Sequence, residues 1–172
     1  MRTILFLVSQ VLLALPSDSI GIRPSYSPLP PGLSGLYEGS HNADGTTRWT
    51  YIGPRRPSRK VRGTDETIFN TYICTGAYVD GVDARAAIVG FNAMCGYGRH
   101  FDKVLAYVHG TAVAYGCSFG DGKGHTCAYG NYNSSSFLRG IEGACGKDKT
   151  GLFVLPDEKV SYGLTHIQNN IC

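Results

Sequence analysis

The chain has 172 residues, 42% apolar and 17% charged, the balance of a globular protein with one hydrophobic core and not of a disordered or fibrous chain. Its formal net charge of +3 is unevenly spread: residues 1–63 hold eight Lys and Arg against three Asp and Glu, and residues 64–172 hold eight against ten, a net −2. Binding nucleic acid needs a basic face to neutralise phosphates, so the composition of 64–172 excludes nucleic acid as an expected partner.

In chain order, Arg2 precedes an apolar run from Ile4 to Leu15, followed by Pro16 and the small residues Ser17 and Ser19. Residues 1–19 therefore read as a secretory signal peptide, too short to span a bilayer comfortably. No later stretch approaches about 20 apolar residues, so the expected product is secreted and extracellular, without stable membrane insertion. Residues 20–63 carry Pro24, Pro28, Pro30, Pro31, Pro54 and Pro57 among Gly and Ser, with no sustained periodicity. They read as a Pro/Gly-rich basic pro-segment or disordered leader without a core of its own. The segment ends in Arg55, Arg56, Arg59, Lys60 and Arg62. Proteolytic processing is expected after Lys60 or Arg62, because Pro57 restricts the backbone beside Arg55-Arg56.

Residues 64–172 form the expected folded domain. All six cysteines lie between Cys74 and Cys172, and in an exported chain they read as three disulfides, for which 15 pairings are open. Ile68 to Cys74, rich in β-branched and aromatic residues, predicts a strand. Ala84, Ile88, Phe91 and Cys95 then recur with helical spacing from about Val82, with Asp80 near the start and Gly96 just past the end. Lys103 to Phe119 alternates on both sides of Gly110 and predicts an antiparallel hairpin. Both of its faces are apolar, which predicts at least one central strand covered by helices.

Gly120 to Gly130 reads as a flexible loop with Cys117 and Cys127 at its two ends; the setting of a phosphate-cradling G-x-G loop is missing. One of Ser134, Ser135 and Ser136 can cap a second helix whose apolar stripe is Phe137, Leu138, Ile141, Ala144 and Cys145. Gly140 and Gly143 each weaken that helix by roughly 1 kcal/mol relative to Ala. Leu152–Leu155 and Val160–Ile171 read as closing strands around Pro156 and Asp157. The order strand, helix, two strands, helix, two strands predicts an α+β sandwich and not a doubly wound sheet.

The order of local features carries a resemblance. Ile73-Cys74-Thr75 opens the domain, a helix ends in Met94-Cys95-Gly96, and Gly110-Thr111 leads into Ala114-Tyr115. A second helix ends in Gly143-Ala144-Cys145-Gly146, and the last strand ends Ile167-Gln168-Asn169-Asn170-Ile171-Cys172. In these features the domain resembles the killer toxin four family, the virus-encoded killer toxin of fungi and its fungal relatives. The resemblance implies a small disulfide-stapled α/β sandwich, an antiparallel sheet of about five strands with two helices on one face. It implies the pairs Cys74–Cys145, Cys95–Cys127 and Cys117–Cys172. It also implies a secreted, monomeric, cofactor-free toxin or effector that binds a membrane protein or other surface component of a target cell, with inhibition of a calcium channel as the family's action. An exposed Lys just before the Gly-Thr turn is implicated in that family; here Tyr107 stands at or next to that column and Lys103 lies earlier in the strand. Lys103, Tyr107 and His109 are the resulting target-contact candidates.

The residues leave two further classes open. His100, His109, His125 and His166 invite a secreted ribonuclease-like enzyme, which needs two acid/base groups and an Arg to stabilise charge on phosphate. Glu66, Glu142, Glu158, Arg85, Arg99 and Arg139 are available, but none lies on the hairpin strands beside a His, so no catalytic activity and no metal site are expected. The tyrosines Tyr72, Tyr78, Tyr97, Tyr107, Tyr115, Tyr129, Tyr132 and Tyr162 would favour a host-protein or carbohydrate-binding module if they formed an exposed cluster. Ser134–Ser136 offers no G-x-S-x-G nucleophile setting. Asn133-Ser134-Ser135 is a glycosylation sequon, which makes Asn133 a candidate glycan site.

Overall fold

The computed structural model describes residues 26–30, 32–54, 72–96, 98–120, 122–127 and 134–172. Residues 1–19, Lys60, Arg62 and Asn133, with the expectations placed on them, lie outside this set. In chain order the elements are β1 (Gly35–His41), β2 (Thr47–Gly53), β3 (Tyr72–Tyr78), α1 (Gly81–Cys95), β4 (Arg99–Phe101), β5 (Val104–His109), β6 (Ala112–Ser118), β7 (His125–Cys127), α2 (Ser134–Cys145), β8 (Lys149–Leu155) and β9 (Val160–His166). Seven strands form one antiparallel sheet in the order β2-β1-β5-β6-β9-β8-β3, and β4 and β7 form a separate two-stranded ribbon. The class is α+β, as the order of elements predicts.

The sheet is larger than the expected five strands, because β1 and β2 come from the segment read as a leader. Within residues 26–54 that reading is corrected: Leu36 is fully buried, and Tyr26, Leu29 and Tyr37 are nearly so. The reason is local. In β1 both faces are covered, Leu36 on the helix side and Tyr37, Gly39 and His41 on the other, and Gly39 hides the alternation because its missing side chain leaves room for Trp49 and Val104. In β2 the alternation is present, with Thr47, Trp49 and Tyr51 half-buried against exposed Arg48, Thr50 and Ile52. The turn between them is closed by the Asn42 amide on the Thr46 carbonyl at 2.8 Å and by the Asp44 carboxylate, which accepts from the Thr46 amide and hydroxyl.

Each face of the sheet is covered. On one face Leu36, Leu105, Ala112, Ala114, Phe153, Tyr162 and Leu164 pack with Ala87, Ile88 and Phe91 of α1 and with Phe137 and Ile141 of α2. α1 begins at Asp80, whose carboxylate accepts from the Val82 and Asp83 amides, and stops at Gly96, which takes φ 36°. Close approach explains two of the helical glycines: a Cβ on Gly90 would collide with the Tyr107 ring, and one on Gly140 with Tyr72, whereas one on Gly143 would meet open space. Gly140 therefore gives up helix propensity in exchange for contact between α2 and the sheet edge.

On the other face Tyr37, Val104, Ala106, Val108, Val113 and Tyr115 pack under Tyr26, Leu29 and Ile171. The hairpin is thus central, but helices cover one of its faces only. A strap of residues 26–30 and 32–34 and the C-terminal tail cover the other.

The disulfides join Cys74 to Cys145, Cys95 to Cys127 and Cys117 to Cys172, the same pairs the resemblance implies, with Cα separations of 5.4, 5.2 and 6.1 Å. They tie β3 to the end of α2, the end of α1 to β7, and β6 to the last residue. Among the described residues no helix is long and apolar enough to cross a membrane.

Candidate functional site

The turn between β5 and β6 is Gly110-Thr111, with His109 opposite Ala112. Gly110 supplies the positive φ of 53° that a two-residue hairpin turn favours. Asp83, in the first turn of α1, fixes the turn from outside: its Oδ2 accepts from the Thr111 amide at 2.8 Å and from the Thr111 hydroxyl at 2.9 Å. The Thr111 amide is the main reason the Asp83 carboxyl lies below the usual carboxylate range; burial opposes it, and the Thr111 hydroxyl and His109 add to the lowering. The carboxylate also occupies the space a Cβ on Gly110 would need. Helix start and hairpin end are therefore one rigid corner, and half-buried His109 stands on it.

The three target-contact candidates do not come together. Lys103 is exposed at the start of β5, where its carbonyl accepts from the Ser118 amide at 2.8 Å. Six residues of strand separate it from His109, about 20 Å at ~3.3 Å per residue. Tyr107 is half-buried beneath Gly90 of α1. His109 alone of the three belongs to the turn.

The histidines pair in a way their sequence positions do not reveal. His109 and His166 both stand opposite Ala112, on the two strands flanking β6. His100 and His125 lie on the β4–β7 ribbon, whose register sets His100 against Thr126 and Phe101 against His125. The His100 ring lies 3.2 Å from the Thr126 hydroxyl through Nδ1 and 3.3 Å from Asp102 through Nε2. Carboxylate, imidazole and hydroxyl follow one another as in a nucleophilic triad, but the His100 and Asp102 side chains are 55% and 79% exposed, so water competes for every contact.

His125 is different. Its Nε2 faces Glu158 at 3.8 Å, the side chain is 12% exposed, and its ring meets Phe101 and Tyr162 edge-on. The turn between β8 and β9 brings Glu158 to His125 on the ribbon, and at the hairpin end Asp83 stands close enough to His109 to feel its charge. The turn at Pro156 and Asp157 is legible in the sequence, but the place to which it brings Glu158 is not. With Nε2 removed from solvent, the pair is a packing contact and not a proton relay open to substrate.

Burial pushes the His125 imidazole below its ordinary 6.5 and His100 pushes it further, while Glu158 opposes both. The folded chain therefore takes up this proton less readily than the unfolded chain. The stabilising contribution is present above pH 6.5 and is lost as pH falls through the depressed value. Denaturant midpoints at pH 7 and at about pH 5 should fall on acidification, and His125→Gln should flatten that slope. An unchanged slope in the variant would contradict the assignment.

Of the eight tyrosines, Tyr97, Tyr129 and Tyr132 lie outside the described residues; Tyr115 and Tyr162 are buried, Tyr72 and Tyr107 are half-buried, and Tyr78 is exposed with the Lys149 ammonium 4.6 Å from its ring centroid. The described tyrosines thus form no exposed cluster. Comparison with protein-family models, curated proteins and solved structures finds no match to this chain.

Proposed function

We propose that the chain is an exported toxin-like effector that acts by binding a surface component of a target cell, a calcium channel being the candidate, and not by turnover of a substrate. The observation that carries this reading is the braced corner at His109–Thr111. It is a short turn fixed by Asp83 at the end of a sheet stapled by three disulfides, and a site that needs no rearrangement loses little entropy on docking. His109 is the contact residue this reading favours over Lys103 and Tyr107. Secretion is supported by the disulfides and by the apolar N-terminal run.

Calcium uptake by target cells exposed to the purified protein tests the proposal. Inhibition by the natural chain is expected, with His109→Ala at least about 30-fold less potent, the loss typical of a binding hot spot. Full potency of that variant would remove the corner as the contact, and growth inhibition with unchanged calcium uptake would remove the channel.

A further inference from the structure

Residues 26–54 contain none of the six cysteines, so their covalent link to the stapled body is the connection between Gly53 and Tyr72 and no disulfide. That connection runs between the two opposite edges of the sheet, since β2 is one edge and β3 the other.

Residues 26–54 are also bound to themselves. The Ser27 amide donates to the Thr47 hydroxyl at 3.0 Å, and Trp49 Nε1 donates to the Ser27 carbonyl at 3.2 Å. The Tyr37 and Tyr51 hydroxyls donate to the carbonyls of Leu33 and Ser34 at 2.7 and 3.2 Å. Strap and hairpin are in this way one piece. Aromatic tips that could have faced a sugar hold the strap instead.

This piece meets the body through three kinds of contact. β1 adds to β5 from Gly35 opposite Val108 to Gly39 opposite Val104. Leu36 enters the helix-side core, while Tyr37, Leu29 and Tyr26 close the other face. Tyr26 and Ile171 exchange two backbone hydrogen bonds, 2.7 and 3.0 Å, beside the Cys117–Cys172 bridge. Main-chain pairing at a sheet edge with side-chain pockets on both faces is how a body binds an added strand.

We infer that the β5 edge and the helix-free face form a strand-accepting groove whose occupant is this chain's own residues 26–54, held firmly enough to stay bound once the connection is cut. Processing between Gly53 and Tyr72 then yields a two-chain protein and does not shed a leader. The inference is independent of what the protein docks to.

The test places a site-specific protease sequence in the connection of the full chain, cuts the folded protein, and compares gel filtration in native buffer and in denaturant without reductant. One native peak containing both pieces by intact mass is expected, with separation in denaturant although the disulfides remain. A folded chain that resists the protease is cut in denaturant and returned to native buffer, where the same single peak is expected. Leu36→Asp puts a carboxylate where nothing is exposed, and should weaken recapture of the N-terminal piece at least about 100-fold. Separate native elution of the two unmutated pieces would overturn the inference, as would recapture indifferent to Leu36→Asp.

Discussion

Replacing Cys74 and Cys145 together by serine is expected to remove about 4 kcal/mol of stability, read as a lower denaturant midpoint with the other two bridges intact. The bridge spans 71 residues, against 55 for Cys117–Cys172 and 32 for Cys95–Cys127. The chain-entropy cost of an unfolded loop grows only with the logarithm of its length, so the three bridges differ by less than about 1 kcal/mol. Position then decides which loss spreads furthest. Cys74 lies on edge strand β3, whose ladder to β8 shifts register between Cys74 and Tyr78, and Cys145 ends α2.

Without the cross-link, an irregular edge strand and a glycine-containing helix depend on packing alone. Cys74 is exposed, so serine leaves no new buried polar group there, while half-buried Cys145 adds a packing loss to the lost constraint. Reduction of all three bridges sums to roughly 12 kcal/mol, comparable with the whole stability of a domain this size, and should unfold the chain at 37 °C. A midpoint unchanged in the double serine variant would show that strand pairing alone holds β3.

Where a signal was local, the sequence announced the structure. Asp80 and Gly96 bounded α1 because capping uses side chains and φ values within one turn, and Gly110 marked the hairpin for the same reason. What escaped depended on partners distant in the chain. Trp49 and Tyr51 alternate correctly for a strand, but surrounding prolines and the silent Gly39 made residues 20–63 look coreless. Their core is borrowed, since Leu36 and Tyr37 bury against β5, about 70 residues further on. His125 and Glu158 are 33 positions apart and meet only because β7 and the β8–β9 turn fold to the same place. Lys103, Tyr107 and His109 are grouped by the column that the resemblance marks ahead of the Gly-Thr turn. A strand's length separates the first from the last, and a helix covers the middle one.

Phe153→Ala should be the most damaging single truncation in the helix-side core, at about 3 to 5 kcal/mol. Phe153 is fully buried on β8, with ring centroids 5.3 Å from Phe137 of α2, 5.6 Å from Tyr162 of β9 and 6.2 Å from Tyr72 of β3. One side chain therefore joins a helix, its neighbouring strand and the sheet edge. The cost depends on whether these elements can move into the cavity, and the cross-link bears on that. Cys74–Cys145 fixes the end of α2 to β3, while Gly140 already seats α2 as close to Tyr72 as the atoms allow. The wall cannot advance, so the cavity should persist and the loss should fall in the upper half of the range. Phe153→Leu, which restores most of the volume, should recover all but about 1.5 kcal/mol. Denaturant titrations of the two variants decide the point: an alanine cost below about 2 kcal/mol would mean that α2 collapses onto the sheet despite its staple.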